Sequence, residues 1–336
     1  MKWGVIGLGY MAKRFAVSIS SLNNTQLTAI ASRSILKLKK FGDRYNIEKK
    51  HRFRNYEDIL KCDEIQNIYI STVNNTHYEL ILKAIKANKN VLCEKPITIN
   101  YEDVLEVFKE LKRKKVFFME AIPYRAHPLI NLIIKNLKDK TIGEVINIKS
   151  YFGNNKKIKN KNHRLLSSQL GGGAIFDVGC YPVSFSNLIA NLNNNGEKFI
   201  PKIINADGIN LKTGVDIDSH VSLLYENNIS SEIGVSIVKD MENKTTIQGS
   251  DGSLTIDNPW SPEEKSYIEI TTNKRYYKLF AKSKLSLLSN QIDIVNKFIN
   301  LKKIEGDYPC MTWQNSVDNA FVLNEWKKIL TKKNEN

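Results

Sequence analysis

The chain is poor in cysteine. Its four, Cys62, Cys93, Cys180 and Cys310, are scattered with no C-x-x-C spacing. Neither a disulfide framework nor a cysteine zinc site is implied, and a reducing compartment fits. No spacing of His, Cys and carboxylates calls for a metal. No apolar run reaches the roughly 18–20 residues of a membrane span. The first apolar run begins at residue 3, which leaves no room for a secretory leader, so a cytoplasmic location is expected. Acidic residues are outnumbered, 35 against 50 Lys and Arg, for a formal net charge of +15. Such a charge raises the question of nucleic acid. The excess is mostly lysine set beside asparagine, as in Asn154-Asn155-Lys156-Lys157 and near Asn193-Asn194-Asn195. The densest cluster, Lys156 to Arg164, lacks the interleaved aromatics of a single-strand binder. Neither nucleic acid nor membrane is expected as a partner. A basic surface can still draw in an anionic small molecule.

Enough remains to build a core. Hydrophobic residues are 42% and charged residues 25% of 336, which suits about two domains of roughly 150 residues each. Over residues 3–120 the hydrophobic period alternates. Apolar runs at 3–6, 27–31, 67–71, 89–93 and 116–119 read as strands, and 11–21, 35–45, 56–61, 76–87 and 101–114 carry helical spacing. Such alternation predicts an α/β Rossmann domain, a parallel sheet with helices on both faces. After a helix near 127–138 the pattern changes. Strands are expected at 144–152, 202–211, 219–225, 231–237, 243–248, 253–256, 266–270 and 275–279, mostly joined by short turns, hence antiparallel pairing. Helices near 284–302 and 312–330 close the chain. The expected organisation is a nucleotide-binding domain at 1–120 and an α+β domain at 121–336 with a large, mainly antiparallel open sheet. The final helices are free to pack back on the first domain.

Gly7-Leu8-Gly9-Tyr10-Met11-Ala12 lies between the strand Trp3-Gly4-Val5-Ile6 and a helical segment. Strand, glycine turn and helix N-terminus make an anion site for a pyrophosphate. Gly7 permits the turn, Gly9 lets the phosphates approach the backbone, and Ala12 lets helix and strand pack closely. The second strand ends in Ser32-Arg33-Ser34, without the Asp or Glu that would hold a ribose 2′-hydroxyl. A hydroxyl beside a guanidinium suits a 2′-phosphate, so NADP(H) is expected in preference to NAD(H), with no metal. The fifth strand runs into Glu94-Lys95-Pro96, which places a lysine at the carboxyl end of the sheet, where ligands bind. Farther on, Gly171-Gly172-Gly173 precedes Asp177 and Tyr181. Three glycines imply close backbone approach to something or a tight helix entry. An acid and a phenol four residues apart share one helical face. They read either as a proton-transfer pair or as a helix charge and a buried ring.

Taken in order, Gly7-x-Gly9-x-x-Ala12, Ser71-Thr72-Val73-Asn74 with His77, Glu94-Lys95-Pro96, Glu120 to Pro128 and the Gly171 to Tyr181 block resemble the Gfo/Idh/MocA family of oxidoreductases. Tyr181, where many members have histidine, is similar to the branch that holds dimeric dihydrodiol dehydrogenase. The resemblance implies hydride transfer between nicotinamide C4 and a hydroxyl-bearing carbon of a sugar, polyol or diol. It implies Tyr181 as acid/base, Lys95 and Asp177 as its catalytic companions, and a cis Lys95–Pro96 bond. It adds Tyr10, Met11, Thr72, Asn74, His77, Glu94 and Lys95 to the cofactor contacts and Tyr124, Arg125 and His163 to the substrate contacts. A homodimer or homotetramer is expected. A non-catalytic NAD(P)-binding sensor or scaffold is the rival reading. Val73 replaces the proline usual in its loop, and the lysine-rich stretch Asn154 to Asn162 departs from the family pattern.

Overall fold

The structure is a computed structural model that describes residues 1–192 and 199–335; Asn193-Asn194-Asn195 lies outside the described residues. In chain order, the first part is β1 (Lys2–Ile6), α1 (Tyr10–Ile19), β2 (Gln26–Ala31), α2 (Ile35–Arg44), β3 (Arg52–Phe53), α3 (Tyr56–Leu60), β4 (Asn67–Ile70), α4 (His77–Lys86), β5 (Asn90–Glu94), α5 (Tyr101–Lys114) and β6 (Phe118–Ala121). The second is α6 (Pro128–Lys138), β7 (Val145–Gly153), α7 (Cys180–Ala190), β8 (Lys202–Asn210), β9 (Asp216–Leu224), β10 (Ser230–Ser236), β11 (Lys244–Gly249), β12 (Gly252–Asp257), β13 (Lys265–Thr272) and β14 (Tyr276–Lys282). Helices α8 (Leu287–Asn300) and α9 (Trp313–Glu335) follow. Two compact units result: residues 1–126 with 285–316, and residues 127–284 with 317–336.

The first unit is an all-parallel sheet in the order β3-β2-β1-β4-β5-β6. Its central strands are buried on both faces, as parallel sheets covered by crossover helices must be. The core contains a run of packed rings: Tyr69 of β4 stacks on Phe15 of α1 at 4.2 Å, and Phe15 meets Trp3 edge-on at 5.5 Å. Trp3 Nε1 donates to Asn296 Oδ1 on α8 at 3.0 Å. Strand β3, two residues long, escapes a hydrophobic-pattern reading because it is too short to show a period.

The second unit holds an eight-stranded sheet in the order β14-β13-β12-β11-β7-β10-β9-β8. Burial alternates along strands such as β11, so one face is dry and the other wet. Six of its seven pairings are antiparallel. The seventh, β7 with β10, is parallel, an exception to the expectation drawn from the short turns. The connection from β7 onward contains α7, and a crossover with a helix supplies the length a parallel return needs. Helix α7 is buried all round apart from Tyr181 near its start. Among the described residues, no helix is long and apolar enough to cross a membrane.

Candidate active site

The first unit builds a nucleotide cradle at the carboxyl ends of β1, β2, β4 and β5. Gly7 has φ +88°, and a Cβ there would lie 2.7 Å from Thr72 Cγ2 and 2.8 Å from Ser71 O, so no side chain fits. Ser71 Oγ ties the turn from the other side by donating to Gly7 O at 2.8 Å. Gly9 differs. A Cβ on it would meet nothing nearer than Ser71 O at 4.0 Å, so the chain's own packing does not demand glycine there. Gly9 is the N-cap of α1; no side chain caps it, and the first turn carries no acid. Space beside a bare helix N-terminus is what a pyrophosphate requires. Tyr10 is largely exposed, Met11 half-buried and Ala12 fully buried against the sheet.

At the end of β2, buried Ser32 accepts the Ser34 N–H through Oγ at 3.2 Å, and Ser34 caps α2 by accepting from Lys37 N at 3.3 Å. Arg33 is exposed, and its guanidinium sits 5.1 Å from the centre of the Tyr56 ring. That contact holds a cation at the rim of the cradle. After β4, Thr72 accepts the Thr76 hydroxyl at 2.7 Å, and Asn74 is buried.

Lys95 follows β5 on a turn pinned from three sides. Buried Glu94 accepts the Tyr69 hydroxyl from β4. The fully buried His77 ring of α4 lies with Nδ1 2.9 Å from Pro96 O. Glu120 of β6 accepts the Ile97 N–H at 3.0 Å. The Lys95–Pro96 bond is cis, and Lys95 is half-buried. Burial drives both carboxyls upward, Glu94 above its ordinary range and Glu120 up to about 7. His77 is thus a tie of the lysine turn. Tyr124 and Arg125 are buried, and Arg125 donates to Pro309 O at 2.6 Å and to Asn315 Oδ1 at 2.8 Å.

The second unit builds a separate cluster around the entry to α7. Residues Ile175–Gly179 form a π-helical turn in place of the α-helix expected there. Such turns recur at functional sites. The approach is tight for an internal reason. Gly173 has φ +110°, and a Cβ there would fall 2.3 Å from Asp216 Oδ1. The glycine's close neighbour is the protein's own carboxylate. Asp216, 2% exposed, accepts the Ile175 N–H at 2.7 Å and faces Lys327 Nζ at 3.3 Å. Nothing in the sequence around Asp216 marks it; only the folded chain brings it to the helix entry.

Asp177 is buried, with Arg164 Nη2 3.3 Å and Lys156 Nζ 4.0 Å from its oxygens. Tyr181 is half-buried in an aromatic wall. Its ring is edge-on to Phe152 at 5.3 Å and to Trp260 at 6.4 Å, and those two stack at 5.9 Å. His163, half-buried, caps a short turn by accepting the Leu165 N–H at 3.3 Å. Phe152 and Trp260 are site residues that sequence reasoning missed, since aromatic residues on strands and loops are ordinarily core. Among the described residues no group of His, Cys, Asp and Glu is placed to hold a metal.

Comparison with known proteins agrees with this architecture. Residues 1–122 match the model of an oxidoreductase family with an NAD-binding Rossmann fold, and residues 132–255 match the GFO/IDH/MocA C-terminal domain. Trans-1,2-dihydrobenzene-1,2-diol dehydrogenase of Xenopus tropicalis is 33% identical over 264 residues, covering 78% of this chain and 77% of its own. The human protein of that name is 29% identical over 269 residues, covering 79% and 77%. Among solved structures, the fold matches aldose-aldose oxidoreductase from Caulobacter crescentus complexed with glycerol, with TM-score 0.86, 20% identity and coverage of 99% and 98%. It also matches a 3-ketoreductase from Actinomadura kijaniata in complex with TDP-benzene and NADP, with TM-score 0.82, 20% identity and coverage of 96% of each chain. A glycine cradle on a parallel sheet, followed by an open eight-stranded sheet and matched by both family models in sequence order, makes this chain a member of the Gfo/Idh/MocA family of oxidoreductases.

Proposed function

We propose that the protein is an NADP(H)-dependent dehydrogenase acting on a CH–OH group of a sugar, polyol or diol, with Tyr181 as the proton-transfer group. The observation that carries this reading is Tyr181 itself: a half-buried phenol in an aromatic wall, one turn after the buried carboxylate Asp177, on a helix entry that Asp216 anchors. The names of the sequence relatives and the solved ketoreductase and aldose oxidoreductase support it.

The residues fit the cofactor. Gly7, Gly9 and the N-terminus of α1 would take the pyrophosphate, Ser32 and Arg33 the 2′-phosphate, and Thr72, Asn74 and the Glu94–Lys95 turn the nicotinamide end. When bound, the nicotinamide supplies hydride exchange at C4. The protein handles the proton. A phenol titrates near pH 10, so Tyr181 needs a group that favours its phenolate, and Lys95 is assigned that tuning. Asp177 orients the substrate hydroxyl. The aromatic rings of Phe152 and Trp260 offer the apolar face that sugars and aromatic diols both present.

The test is NADP(H) absorbance against a panel of aldoses, polyols and diols. Turnover with at least one class is expected. Tight NADP(H) binding without turnover on any of them would favour a sensor or scaffold instead.

A further inference from the structure

We propose that the substrate carries an anionic group, a phosphate or a carboxylate, received by Lys156 and Arg164 beside Asp177. This inference rests on the dehydrogenase reading above and narrows its substrate class. Residues 154–164 contain four lysines and an arginine and no carboxylate. Lys157, Lys159 and Lys161 are exposed and read as a solvated face. Lys156 and Arg164 are exposed too, but both reach the same buried carboxylate, at 4.0 Å and 3.3 Å.

Two cations, Lys156 and Arg164, thus converge on the single carboxylate of Asp177. Asp240 accepts the Asn155 N–H at 2.9 Å. The two cations are 36% and 44% exposed at the side chain, against 9% for Asp177. The carboxylate is inside and the cations line the approach to it. A guanidinium has five donors, so Arg164 can hold Asp177 and a second anion together.

The segment is a built feature. Asn154 N donates to Ser236 O at 3.1 Å, Lys156 N to Ile237 O at 3.0 Å, and His163 caps the turn that presents Arg164. Tyr181 lies four residues after Asp177, facing Phe152 and Trp260. The cluster therefore has an aromatic end and a cationic end. A sugar whose ring stacks on the aromatics and whose acidic substituent reaches the cations matches both; a neutral diol matches one.

The experiment uses the full chain with NADP(H) and matched triplets: glucose, glucuronate and glucose 6-phosphate, and the same three forms of galactose and mannose. For at least one triplet an acidic member is expected to exceed its neutral parent in kcat/KM by about tenfold, the scale of one charge-assisted bond. Whether phosphate or carboxylate wins identifies the anion. Lys156→Met and Arg164→Met should each cut that ratio by about threefold or more, and raising salt should shrink it. Equal or lower kcat/KM for every acidic member, or a ratio untouched in both variants, overturns the inference and leaves the dehydrogenase reading standing. If no member of the triplets turns over, the dehydrogenase reading is decided by the wider panel of polyols and diols, and thermal shift of the NADP-loaded protein with the same triplets decides the anion site. A larger shift for the acidic members that both variants abolish sustains it; equal shifts overturn it.

Discussion

Asp216 binds the backbone of Ile175, at 2.7 Å, and so fixes the first turn of the helix that carries Asp177 and Tyr181. The same carboxylate fills the space over Gly173 and pairs with Lys327. Asp216→Ala should therefore lower stability by about 2–3 kcal/mol in thermal denaturation, through an unpaired backbone donor and a stranded partner cation. It should also slow turnover while leaving the NADP Kd unchanged. Asp216→Asn, which keeps an acceptor for Ile175, should recover part of the loss. A Tm for Asp216→Ala equal to wild type would contradict the assignment.

Tyr181→Phe keeps the ring against Phe152 and Trp260 and removes only the hydroxyl. Loss of a positioned acid/base costs about 10²–10⁴-fold in rate. NADP(H) affinity should hardly move. Lys95→Met should also slow turnover, and the double variant should lose less than the product of the two, as residues acting as a unit do. A Tyr181→Phe enzyme within about threefold of wild type, on a substrate for which proton or hydride transfer limits the rate, would return Tyr181 to the core.

Arg33→Ala removes the cation held over Tyr56 at the rim of the cradle. A charge-assisted contact contributes roughly 1.5–3 kcal/mol, so the NADP Kd should rise by about ten- to a hundredfold. The NAD Kd should stay nearly constant. Equal wild-type affinity for the two cofactors, measured by fluorescence titration, would refute the preference.

Glu120 has an ordinary value of 4.5, and burial raises it to about 7 in the folded chain. Between those values the folded state keeps a proton that the unfolded state has lost. Its stabilising contribution is complete below about pH 4.5 and is lost as pH rises through about 7. Glu120→Gln is neutral throughout. The variant should lose less stability than wild type between mildly acidic and mildly alkaline pH, by up to about 3 kcal/mol. Parallel stability-versus-pH curves would show that Glu120 is not the titrating group.

The second unit's sheet carries Ile209, Tyr276 and Phe280 more than half exposed. Ile209 lies on the edge strand β8, and Tyr276 and Phe280 on the opposite edge strand β14; we propose that exposed apolar residues on this sheet meet a second copy of the chain. We expect light scattering to give at least twice the 38.5 kDa of one chain. Charged substitutions at Tyr276 and Phe280 should shift the mass toward one chain without unfolding it.

Much of this was legible in the sequence because the first unit repeats one local pattern. Each strand of β1, β2, β4, β5 and β6 is an apolar run, and each crossover helix has its stripe. The Gly7–Ala12 turn and the Lys95 turn follow from where those runs end. What stayed hidden is set by contacts distant in sequence. The parallel pairing of β7 with β10 joins residues 83 apart in sequence, and no local period encodes it. The π-helical turn at Ile175–Gly179 differs from an α-helix by one extra residue per turn, below the resolution of a hydrophobic stripe. Asp216, Phe152 and Trp260 are residue types ordinary on any strand or loop. Arg125 is offered as a substrate contact by the resemblance alone, and the hydrogen bonds it makes to Pro309 and Asn315, far on in the sequence, have no local signal.

A ribosome delivers the first 126 residues long before the rest of their unit exists. Trp3 must wait for Asn296, Phe118 for the Trp313 indole that donates to its carbonyl at 3.2 Å, and Arg125 for Asn315. During that interval the whole of residues 127–284 emerges, and it can pair its own sheet while the nucleotide cradle still lacks α8. Synthesis therefore leaves the cofactor-holding half, though first in the message, unfinished until α8 and the start of α9 have been made, and the second unit until the rest of α9 follows.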